Sequence, residues 1–426
     1  MMTLMAAVFG ITLVLGFPVA FCLGITSVAV LLATDVPLNL VAQRIFTGMD
    51  SFPLMAVPFF VLAGEIMNVG GTTQRLISLA HALVGKIRGG LAHTTVVSAM
   101  FLSGISGSAV ADASALGSVL IPGMVQKGYG RGFSAAITAS AAVMGPTIPP
   151  SILMVILGVT TGLSIGALFA AGLVPGVLQG AAMMAMAYYY AVKNNYPKDE
   201  EPLTLERLWK ETISAGPALF APLIIIGGIL AGAFTPTEAA VVAVFYALIL
   251  GMWVYRELTW KDLWNVLVNT GVTTSVLLLI IGMANIFAWV LTAEQVPQKV
   301  ANMLLGISKS PYVVLLMINL VLLIVGMFME AGAAIVILSP TLLAVAQAVG
   351  IHPLHFGFVM ILNLSIGLIT PPVGVLLFVV CGITGYPFSL VTRWAMPFMA
   401  ANLATLALVS YVPELIMWVP RLFGYV

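Results

Sequence analysis

The sequence predicts an all-α polytopic membrane protein with inverted repeats, each containing a re-entrant helical hairpin and a broken helix. Three observations lead to this prediction: the composition, the interrupted apolar segments, and the recurrence of those interruptions. Of the 426 residues, 61% are hydrophobic and only 7% are charged, whereas soluble domains carry roughly 25% charged residues. Since a transmembrane helix needs about 20 apolar residues, the chain has room for roughly a dozen passes.

Charge and cysteine content exclude other classes of protein. The net charge is only +1, which leaves no electrostatic footprint for nucleic acid. The two cysteines, Cys22 and Cys381, lie far apart in apolar runs, so no disulfide framework is predicted. The four histidines form no metal-binding constellation, and no phosphate-binding Walker loop occurs. We therefore predict that the protein is not an enzyme and that an ion gradient, not bound ATP, supplies its energy.

One hydrophilic segment, Lys193 to Glu211, divides the chain near its middle. Lys and Arg residues are retained on the cytoplasmic side during membrane insertion. We therefore interpret residues 191–214 as a connector at the cytoplasmic surface. The basic residues assigned to this side are Arg75, Lys86, Arg88, Lys127, Arg131, Lys193, Lys198, Arg207, Lys210, Arg256, Lys261 and Arg393.

Residues 89–126 are predicted to form a re-entrant hairpin. They must leave the cytoplasm after Arg88 and return by Lys127, around the polar centre Ser103-Gly-Ile-Ser-Gly-Ser108. Each apolar arm has only about 15 residues, or roughly 22 Å, against a bilayer core of about 30 Å. Two full spans are the alternative, but a hairpin fits these lengths better. Its tip then lies near the midplane, where exposed backbone is tolerated only beside protein or water.

A broken helix is predicted directly after this hairpin. The segment from Phe133 is apolar to Gly145, meets Gly145-Pro-Thr-Ile-Pro-Pro150, and becomes apolar again at Ile152. The prolines remove amide donors and clash with preceding carbonyl groups, so one continuous helix cannot pass through this segment.

The second half of the chain repeats this arrangement. Pro311–Met329 and Ala333–Val349 form the arms of a second hairpin, and the segment from Phe356 is interrupted at Gly367-Leu-Ile-Thr-Pro-Pro372. The first hairpin enters from the cytoplasm, whereas the second, between Lys309 and His352, enters from the other side. Two inverted copies with interrupted helices are typical of secondary transporters with a site at the midplane.

The two copies are matched residue by residue on their unusual residues. The breaks match at an offset of 222 residues, and we match the carboxylates and prolines of the hairpins at an offset of 218. The matched pairs are Gly145 with Gly367, Pro149 with Pro371, Pro150 with Pro372, Asp112 with Glu330, and Pro122 with Pro340.

Interrupted helices leave main-chain groups that bind ions. A helix that ends at Gly145 has carbonyl groups without partners, which suit a cation, and a half-helix that restarts after Pro150 has free amides, which suit a carboxylate. Hard cations prefer oxygen ligands. Close packing of small residues is the alternative interpretation of the same glycines and serines. The candidate groups are Ser103, Ser106, Ser108 and Thr147 in the first copy, with Gly326, Glu330, Gly367 and Thr370 in the second.

Four acidic residues lie in apolar surroundings: Glu65, Asp112, Glu238 and Glu330. Charge within a membrane costs at least about 2.5 kcal/mol, so a partner or a function is expected. We predict that Asp112 and Glu330 order the hairpin tips or tune the cation sites. Capping of the returning helices is an open alternative. For Glu238 we predict a structural role at a helix start, with Thr235 as the cap.

Several motifs together resemble the large membrane subunit of tripartite ATP-independent periplasmic (TRAP) transporters, over essentially the whole chain. The motifs are residues 43–54 (QRIFTGMDSFPL), 103–112 (SGISGSAVAD), 145–151 (GPTIPPS), 235–239 (TPTEA) and 367–372 (GLITPP).

The resemblance implies sodium-driven uptake of an organic acid, such as sialic acid or a C4-dicarboxylate, across a bacterial inner membrane. An extracytoplasmic binding protein would deliver the acid, and a small four-helix membrane subunit would brace this one. We expect that subunit to be a separate chain. The resemblance also implies an elevator mechanism, in which a transport domain with both hairpins slides against a scaffold.

The resemblance further assigns residues to sites. One Na⁺ site would involve Ser106, Gly145, Ile148 and Pro150, with Ser103 nearby, and the inverted copy would use Gly326, Gly367, Thr370 and Pro372. We assign the substrate to Ser108, Thr147, Ser151, Ala331, Gly332 and Val373.

Five domain boundaries follow from these assignments. We predict N-terminal scaffold helices over 1–88, the first transport repeat over 89–190, the connector over 191–214, further scaffold helices over 215–308, and the second repeat with a terminal helix over 309–426. The alternative function is a channel or pore-forming protein, although two opposed hairpins whose tips meet would block an open pore.

Overall fold

The computed structural model describes residues 1–198 and 204–426, and the regular structure in these ranges is helical. Nine helical segments of the described chain are long and apolar enough to cross a bilayer. The predicted all-α polytopic membrane architecture is confirmed. Four of the shorter apolar helices belong to the predicted hairpin and breaks: Gly90–Ser106, Ile152–Thr161, Pro353–Gly367 and Val375–Thr384.

The first half of the chain begins with five helices and continues into the first repeat. A 3-10 turn, Phe52–Met55, precedes the fourth helix. The helices are α1 (Met2–Val14), α2 (Val19–Ala33), α3 (Asn39–Met49), α4 (Ala56–Val69), α5 (Thr72–Val84), α6 (Gly90–Ser106), α7 (Ala109–Gln126), α8 (Arg131–Ala142), α9 (Ile152–Thr161) and α10 (Ile165–Lys193).

The second half has four helices before its repeat, against five in the first half, and one further helix after the repeat. A π-helical turn, Leu250–Val254, follows the second of its helices. The helices are α11 (Leu205–Leu230), α12 (Pro236–Ile249), α13 (Trp260–Ala293), α14 (Val296–Ile307), α15 (Pro311–Phe328), α16 (Ala331–Ala348), α17 (Pro353–Gly367), α18 (Val375–Thr384), α19 (Phe388–Tyr411) and α20 (Glu414–Leu422).

The hairpins and broken helices lie where the sequence predicts them. Helices α6 and α7 form the first hairpin, and α15 and α16 form the second. The first break separates α8 from α9, and the second separates α17 from α18. The hydrophilic connector is narrower than predicted, because α10 runs to Lys193 and α11 begins at Leu205; residues 199–203 of the connector lie outside the described residues.

The helix bounds give one register for both copies. The first residues of α6–α10 correspond to those of α15–α19 at offsets of 221 to 223 residues, and the two returning arms, α7 and α16, match at 222 at both ends. The hairpin offset of 218 is therefore wrong. Glu330 is the N-cap of α16, so its counterpart is Ser108, the N-cap of α7, and Asp112 corresponds to Ala334. The sequence comparison failed here because it matched carboxylates by type, whereas the helix ends fix the register.

A pair of buried amides marks the axis that relates the copies. Gln179 of α10 and Asn402 of α19 are equivalent at the 223-residue offset, and Gln179 Nε2 donates a hydrogen bond of 2.6 Å to Asn402 Oδ1. Both side chains are fully buried. Equivalent positions that touch each other lie on a two-fold axis, so the axis passes between α10 and α19.

The two copies also interlock through their hairpins. The returning arm α7 packs against α18 of the second copy, and the returning arm α16 packs against α9 of the first. The half-helices before the breaks form the centre of the protein, because α8 after Arg131 and α17 after Pro353 are buried along their whole length. Each break is therefore enclosed by both repeats.

Two of the basic residues assigned to the cytoplasm contact other segments through their side chains. Arg75 of α5 forms an ion pair of 2.7 Å with Glu257, which follows the π-helical turn. Arg88, between α5 and α6, donates a hydrogen bond to the side chain of Asn195, just after α10. The cytoplasmic assignment of these segments stays a prediction.

The predicted structural role of Glu238 is confirmed. Thr235 caps α12, its hydroxyl accepts from the Glu238 amide at 3.3 Å, and the Glu238 carboxylate accepts from the Thr235 amide at 2.8 Å. Pro236 occupies the first helical position. This reciprocal capping box satisfies two amides that have no partner inside the helix.

Candidate functional site

The tip of the first hairpin is a tight turn pressed against the first break. Helix α6 ends at Ser106, Gly107 adopts a left-handed conformation with φ of +58°, and Ser108 caps α7. A Cβ at Gly107 would lie 2.7 Å from the carbonyl oxygen of Pro150. Only glycine adopts this conformation freely while allowing so close an approach.

A buried carboxylate ties this tip together. Asp112 is fully buried, and its carboxylate accepts hydrogen bonds from the hydroxyls of Ser106 at 2.5 Å and Ser103 at 3.2 Å. Ser103 also donates to the carbonyl of Ala99 at 2.6 Å. A Cβ at Gly145 would lie 3.0 Å from Asp112 Oδ2, so the carboxylate reaches the break. A charge in this position needs compensation, and two hydroxyl donors supply only part of it.

The first break opens between α8 and α9. The amides of Thr147 and Ile148 both donate to the Met144 carbonyl at 2.9 Å, so the chain makes a tight turn after the end of α8. The Pro149–Pro150 peptide bond is cis. Beyond it, Ser151 caps α9. Main-chain carbonyl groups of the break therefore lie beside the Ser106 and Asp112 side chains of the tip.

The tip of the second hairpin is built differently. Glu330 is exposed, and its carboxylate oxygens accept from the amides of Gly332 and Ala333 at 2.8 Å each. The capping alternative left open by the sequence describes this geometry. The position equivalent to Asp112 is Ala334, so the described second tip has no buried carboxylate at that place.

Two glycines bring the second hairpin against the second break. A Cβ at Gly367 would lie 2.5 Å from both the carbonyl carbon and the carbonyl oxygen of Gly326. The Thr370 hydroxyl donates to the Ile366 carbonyl at 2.8 Å, and the Pro371–Pro372 peptide bond is cis. Main-chain groups of α15 and of the break thus meet without an intervening side chain.

One cavity of about 630 Å³ lies between both tips and both breaks. Its remaining walls come from α4 and α13, outside the repeats. The residues that line it are Val61, Gly64, Glu65, Asn68, Ser106, Gly107, Ser108, Ala109, Val110, Ala111, Ser114, Pro146, Ile152, Leu153, Val272, Thr273, Val276, Leu277, Ile280, Glu330, Ala331, Leu368 and Val375.

The predicted substrate residues divide into two groups in this structure. Ser108 and Ala331 line the cavity, whereas Thr147, Ser151, Gly332 and Val373 do not. Thr147 and Ser151 are buried because their hydroxyls serve the backbone. Thr147 is directed at the Val143 carbonyl at 3.4 Å, and Ser151 accepts from the Met154 amide at 3.4 Å.

The charge of the cavity wall was not anticipated from the sequence. Glu65 of α4 and Glu330 are its charged groups, and no Lys, Arg or His belongs to the described lining. Glu65 is partly buried. The neighbouring Gly64 packs on the tip of the first hairpin, where a Cβ added to the glycine would lie 3.1 Å from Ser106 Cα. The sequence did show a carboxylate in the otherwise apolar helix α4. The hydrophobic periodicity of a helix does not reveal which cavity the carboxylate lines.

Comparison with known proteins places the chain among transport components. The sequence profile described as "Tripartite ATP-independent periplasmic transporter, DctM component" matches residues 6–415.

Over the described residues, no group of three or more His, Cys, Asp or Glu side chains that could hold a metal ion occurs.

Characterised relatives share about two fifths of their residues with this chain. The "Sialic acid TRAP transporter large permease protein SiaM" of Vibrio cholerae is 42% identical, covering 96% of each chain. The "C4-dicarboxylate TRAP transporter large permease protein DctM" of Pseudomonas aeruginosa is 41% identical, covering 93% of each. The "Isethionate TRAP transporter permease protein DctMQ" of Oleidesulfovibrio alaskensis is 43% identical over 96% of this chain, which spans 65% of that longer protein.

Solved structures share the fold. The Alcanivorax borkumensis YdaH transporter has a TM-score of 0.61 at 16% identity and covers 90% of this chain and 89% of its own. The Neisseria gonorrhoeae MtrF efflux pump has a TM-score of 0.59 at 17% identity, with coverage of 91% and 85%. At these identities the likeness concerns the fold alone.

Proposed function

The chain belongs to the family of DctM components of tripartite ATP-independent periplasmic transporters, and on that premise we propose that it imports an organic acid together with sodium ions. It is a multi-pass permease of the inner membrane and not an enzyme. The relatives named for sialic acid and C4-dicarboxylates support a carboxylic acid as the cargo, and the relative named for isethionate, a sulfonate, supports an organic anion more generally.

The charge of the central cavity is the observation that carries the proposal of sodium coupling. An anionic acid in this cavity meets two carboxylates and no basic side chain of the described lining. Two like charges 8 Å apart repel by about 2 kcal/mol at an effective dielectric constant of about 20. A cation that enters with the acid removes this penalty. The coupling ion therefore supplies the positive charge that the wall lacks.

Two cation sites are proposed at the two breaks. The first uses oxygen atoms at Ser103, Ser106, Gly145, Ile148 and Pro150, with Asp112 ordering the hydroxyls. These groups are hard oxygen ligands, which suit Na⁺.

The second site uses main-chain carbonyl groups and one hydroxyl. We assign it to Gly326, Gly367, Thr370 and Pro372. Because the two glycines have no side chains, main-chain groups of α15 and of the break meet there and would surround the ion. The substrate would lie in the cavity between the sites, against Ser108 and Ala331 and opposite Glu65 of α4. Helix starts at α9 and α18 offer amides to an anion.

An elevator movement of the repeats against α4 and α13 is proposed for alternating access. The transport domain would consist of residues 89–190 and 309–426, and the scaffold of residues 1–88 and 215–308. The amide pair on the axis and the interlocked hairpins support movement of the two repeats as one body. The cavity between the tips and the scaffold helices is where such a movement would change access.

We propose two protein partners. One is a small four-helix membrane subunit, and the other is a periplasmic substrate-binding protein. The family description, which names a tripartite and periplasmic system, supports both.

Uptake by reconstituted protein tests the proposal. The permease, with its small subunit in liposomes and the loaded binding protein outside, should accumulate labelled acid when Na⁺ is outside and stop when choline replaces Na⁺. A panel of labelled carboxylic acids would identify the cargo. Sodium-independent accumulation would refute the coupling, and flux that does not saturate or need the binding protein would support the channel alternative.

A further inference from the structure

A buried chain of polar side chains connects three helices of the second repeat. The Asn363 side-chain amide of α17 donates to the Oδ1 atom of Asn319 of α15 at 2.8 Å and to the Asn319 carbonyl at 3.0 Å. Asn319 in turn donates to the hydroxyl of Ser410 of α19 at 3.2 Å. We call these three residues the asparagine brace. All three are buried, and Asn363 is fully buried.

The brace costs free energy that a packing of apolar side chains would not cost. Within the described residues, the side-chain oxygen of Asn363 has no hydrogen-bond partner. A buried acceptor left without a donor loses the hydrogen bonds that it makes in water. An apolar side chain at this position would have no hydrogen bond to lose. The polar contact therefore serves a purpose beyond filling the core.

The brace lies on the same two helices that meet at the second break. Asn363 precedes Gly367 by one helical turn on α17, and Asn319 precedes Gly326 by two turns on α15. Gly326 and Gly367 touch main chain to main chain, and even a methyl group between them would have to displace the backbone. The hydrogen bonds between Asn319 and Asn363 fix the separation and rotation of the helices that make this contact.

The first repeat has no equivalent of the brace. At the offsets of 222 and 223 residues, Asn319, Asn363 and Ser410 correspond to Val97, Ala141 and Ala187. None of these side chains forms a hydrogen bond. The first repeat instead has the Asp112 carboxylate at its tip, where the second repeat has Ala334. The Asp112 contacts and the asparagine brace are therefore buried polar ties in different places of the two repeats.

We propose that the asparagine brace positions the second cation site, at Gly326 and Gly367, and has no such role at the first. This inference rests on the sodium coupling proposed above. The brace residues do not contact the ion. They hold the carbonyl groups of α15 and α17 at the spacing that the ion requires, because a small shift between these helices changes every main-chain distance at the contact.

The test is the sodium dependence of uptake by Asn363→Leu in the complete reconstituted system. Wild type, with two cation sites, should show a Hill coefficient for Na⁺ of about two. We expect Asn363→Leu to lower it towards one and to raise the half-maximal Na⁺ concentration roughly tenfold. A purely structural defect would reduce the amount of active protein without changing the shape of the Na⁺ curve.

Two further variants make the result specific. Gln179→Leu removes an equally buried amide whose hydrogen bond, to Asn402, lies outside the brace, and it should leave the shape of the Na⁺ curve unchanged. Ser410→Ala removes the outer end of the brace and should shift the curve in the same direction as Asn363→Leu, by a smaller factor. It also replaces Asn363→Leu in the test if that variant does not reach the membrane.

The outcomes separate this inference from the proposed function. A wild-type protein without sodium dependence overturns the proposed coupling. A sodium-dependent wild type whose Na⁺ curve is unchanged by both Asn363→Leu and Ser410→Ala overturns the role of the brace and leaves the coupling intact. An equal change in the Gln179→Leu curve also overturns it, because the effect would then be general to buried amides.

Discussion

The two hairpin tips each join their helices through two residues but differ in conformation and in the contacts that hold them. In the first tip Gly107 is left-handed, with φ of +58°, whereas the equivalent Met329 of the second tip is extended. The first tip closes around the buried Asp112, which two serine hydroxyls contact. The second begins with the exposed Glu330, which accepts from two amides of its own helix. The paired prolines of the breaks recur, whereas the polar contacts of the tips do not, so the two proposed cation sites are not equivalent.

The largest effect is expected at the close contact between the two glycines of the second break. In Gly367→Val, the new side chain would overlap the Gly326 carbonyl group. We expect sodium-driven uptake to fall on the order of a hundredfold, because overpacking by about 1–3 kcal/mol has no room to relax here. Initial uptake rates, normalised to the protein in the liposomes, measure this.

The matched control is Gly382→Val on α18. A Cβ at Gly382 meets no atom within 4 Å, and the position is exposed, so near-normal uptake is expected. If Gly367→Val transported as well as Gly382→Val, the close contact would not be part of the transport site.

The next largest effect is expected for the buried carboxylate that distinguishes the first tip from the second. Asp112→Asn keeps the shape of the side chain but removes the charge that the Ser103 and Ser106 hydroxyls contact. We expect the half-maximal Na⁺ concentration to rise roughly tenfold. Sodium titrations of uptake provide the measurement. Asp262→Asn is the control, since Asp262 is the N3 residue of the α13 capping box and an Asn side-chain oxygen can still accept from the Thr259 amide.

A smaller effect is expected from the serines of the first tip. Ser106→Ala removes the 2.5 Å hydrogen bond to Asp112, and we expect a change of about fivefold in the sodium requirement, the equivalent of about 1 kcal/mol. Ser103→Ala should have less effect, because its hydrogen bond to Asp112 is longer, at 3.2 Å. The reverse order in side-by-side titrations would show that Asp112 does not act through Ser106.

The smallest effect is expected at the second tip. Glu330→Gln keeps one of the two oxygens, which can accept from the amide of Gly332 or of Ala333, and the side chain is exposed, so water screens the lost charge and can accept from the other amide. We expect a change of about twofold in the sodium requirement, measured in the same titration as Asp112→Asn. An effect of Glu330→Gln equal to that of Asp112→Asn would contradict the distinction between the tips.

The sequence was informative wherever a residue type permits only one local structure. The paired prolines predicted both breaks, and the glycines and serines around Gly107 predicted the first tip, because these residues act on the backbone directly. The comparison of the repeats was wrong at the hairpins, where Asp112 and Glu330 were equated. Side-chain chemistry is free to differ between copies, so only the helix ends revealed the register.

The walls of the cavity were beyond sequence reasoning for a different reason. Glu65 was recognised as an acidic residue in an apolar helix, but the other walls of its cavity come from both tips and from α13, which are separate segments of the chain. Thr147 and Ser151 were assigned to the substrate because their hydroxyls lie at the break. The structure uses those hydroxyls for the backbone, which a linear pattern cannot distinguish.

The contact between Gln179 and Asn402 places two equivalent positions of the repeats against each other. A primary amide both donates and accepts hydrogen bonds, so the two side chains bond to each other without bringing a charge into the core. The two positions are encoded separately and already differ, with glutamine in one copy and asparagine in the other. Evolution can therefore change either side of this contact alone, and an apolar replacement on one side would leave a polar group of the opposite repeat without its partner.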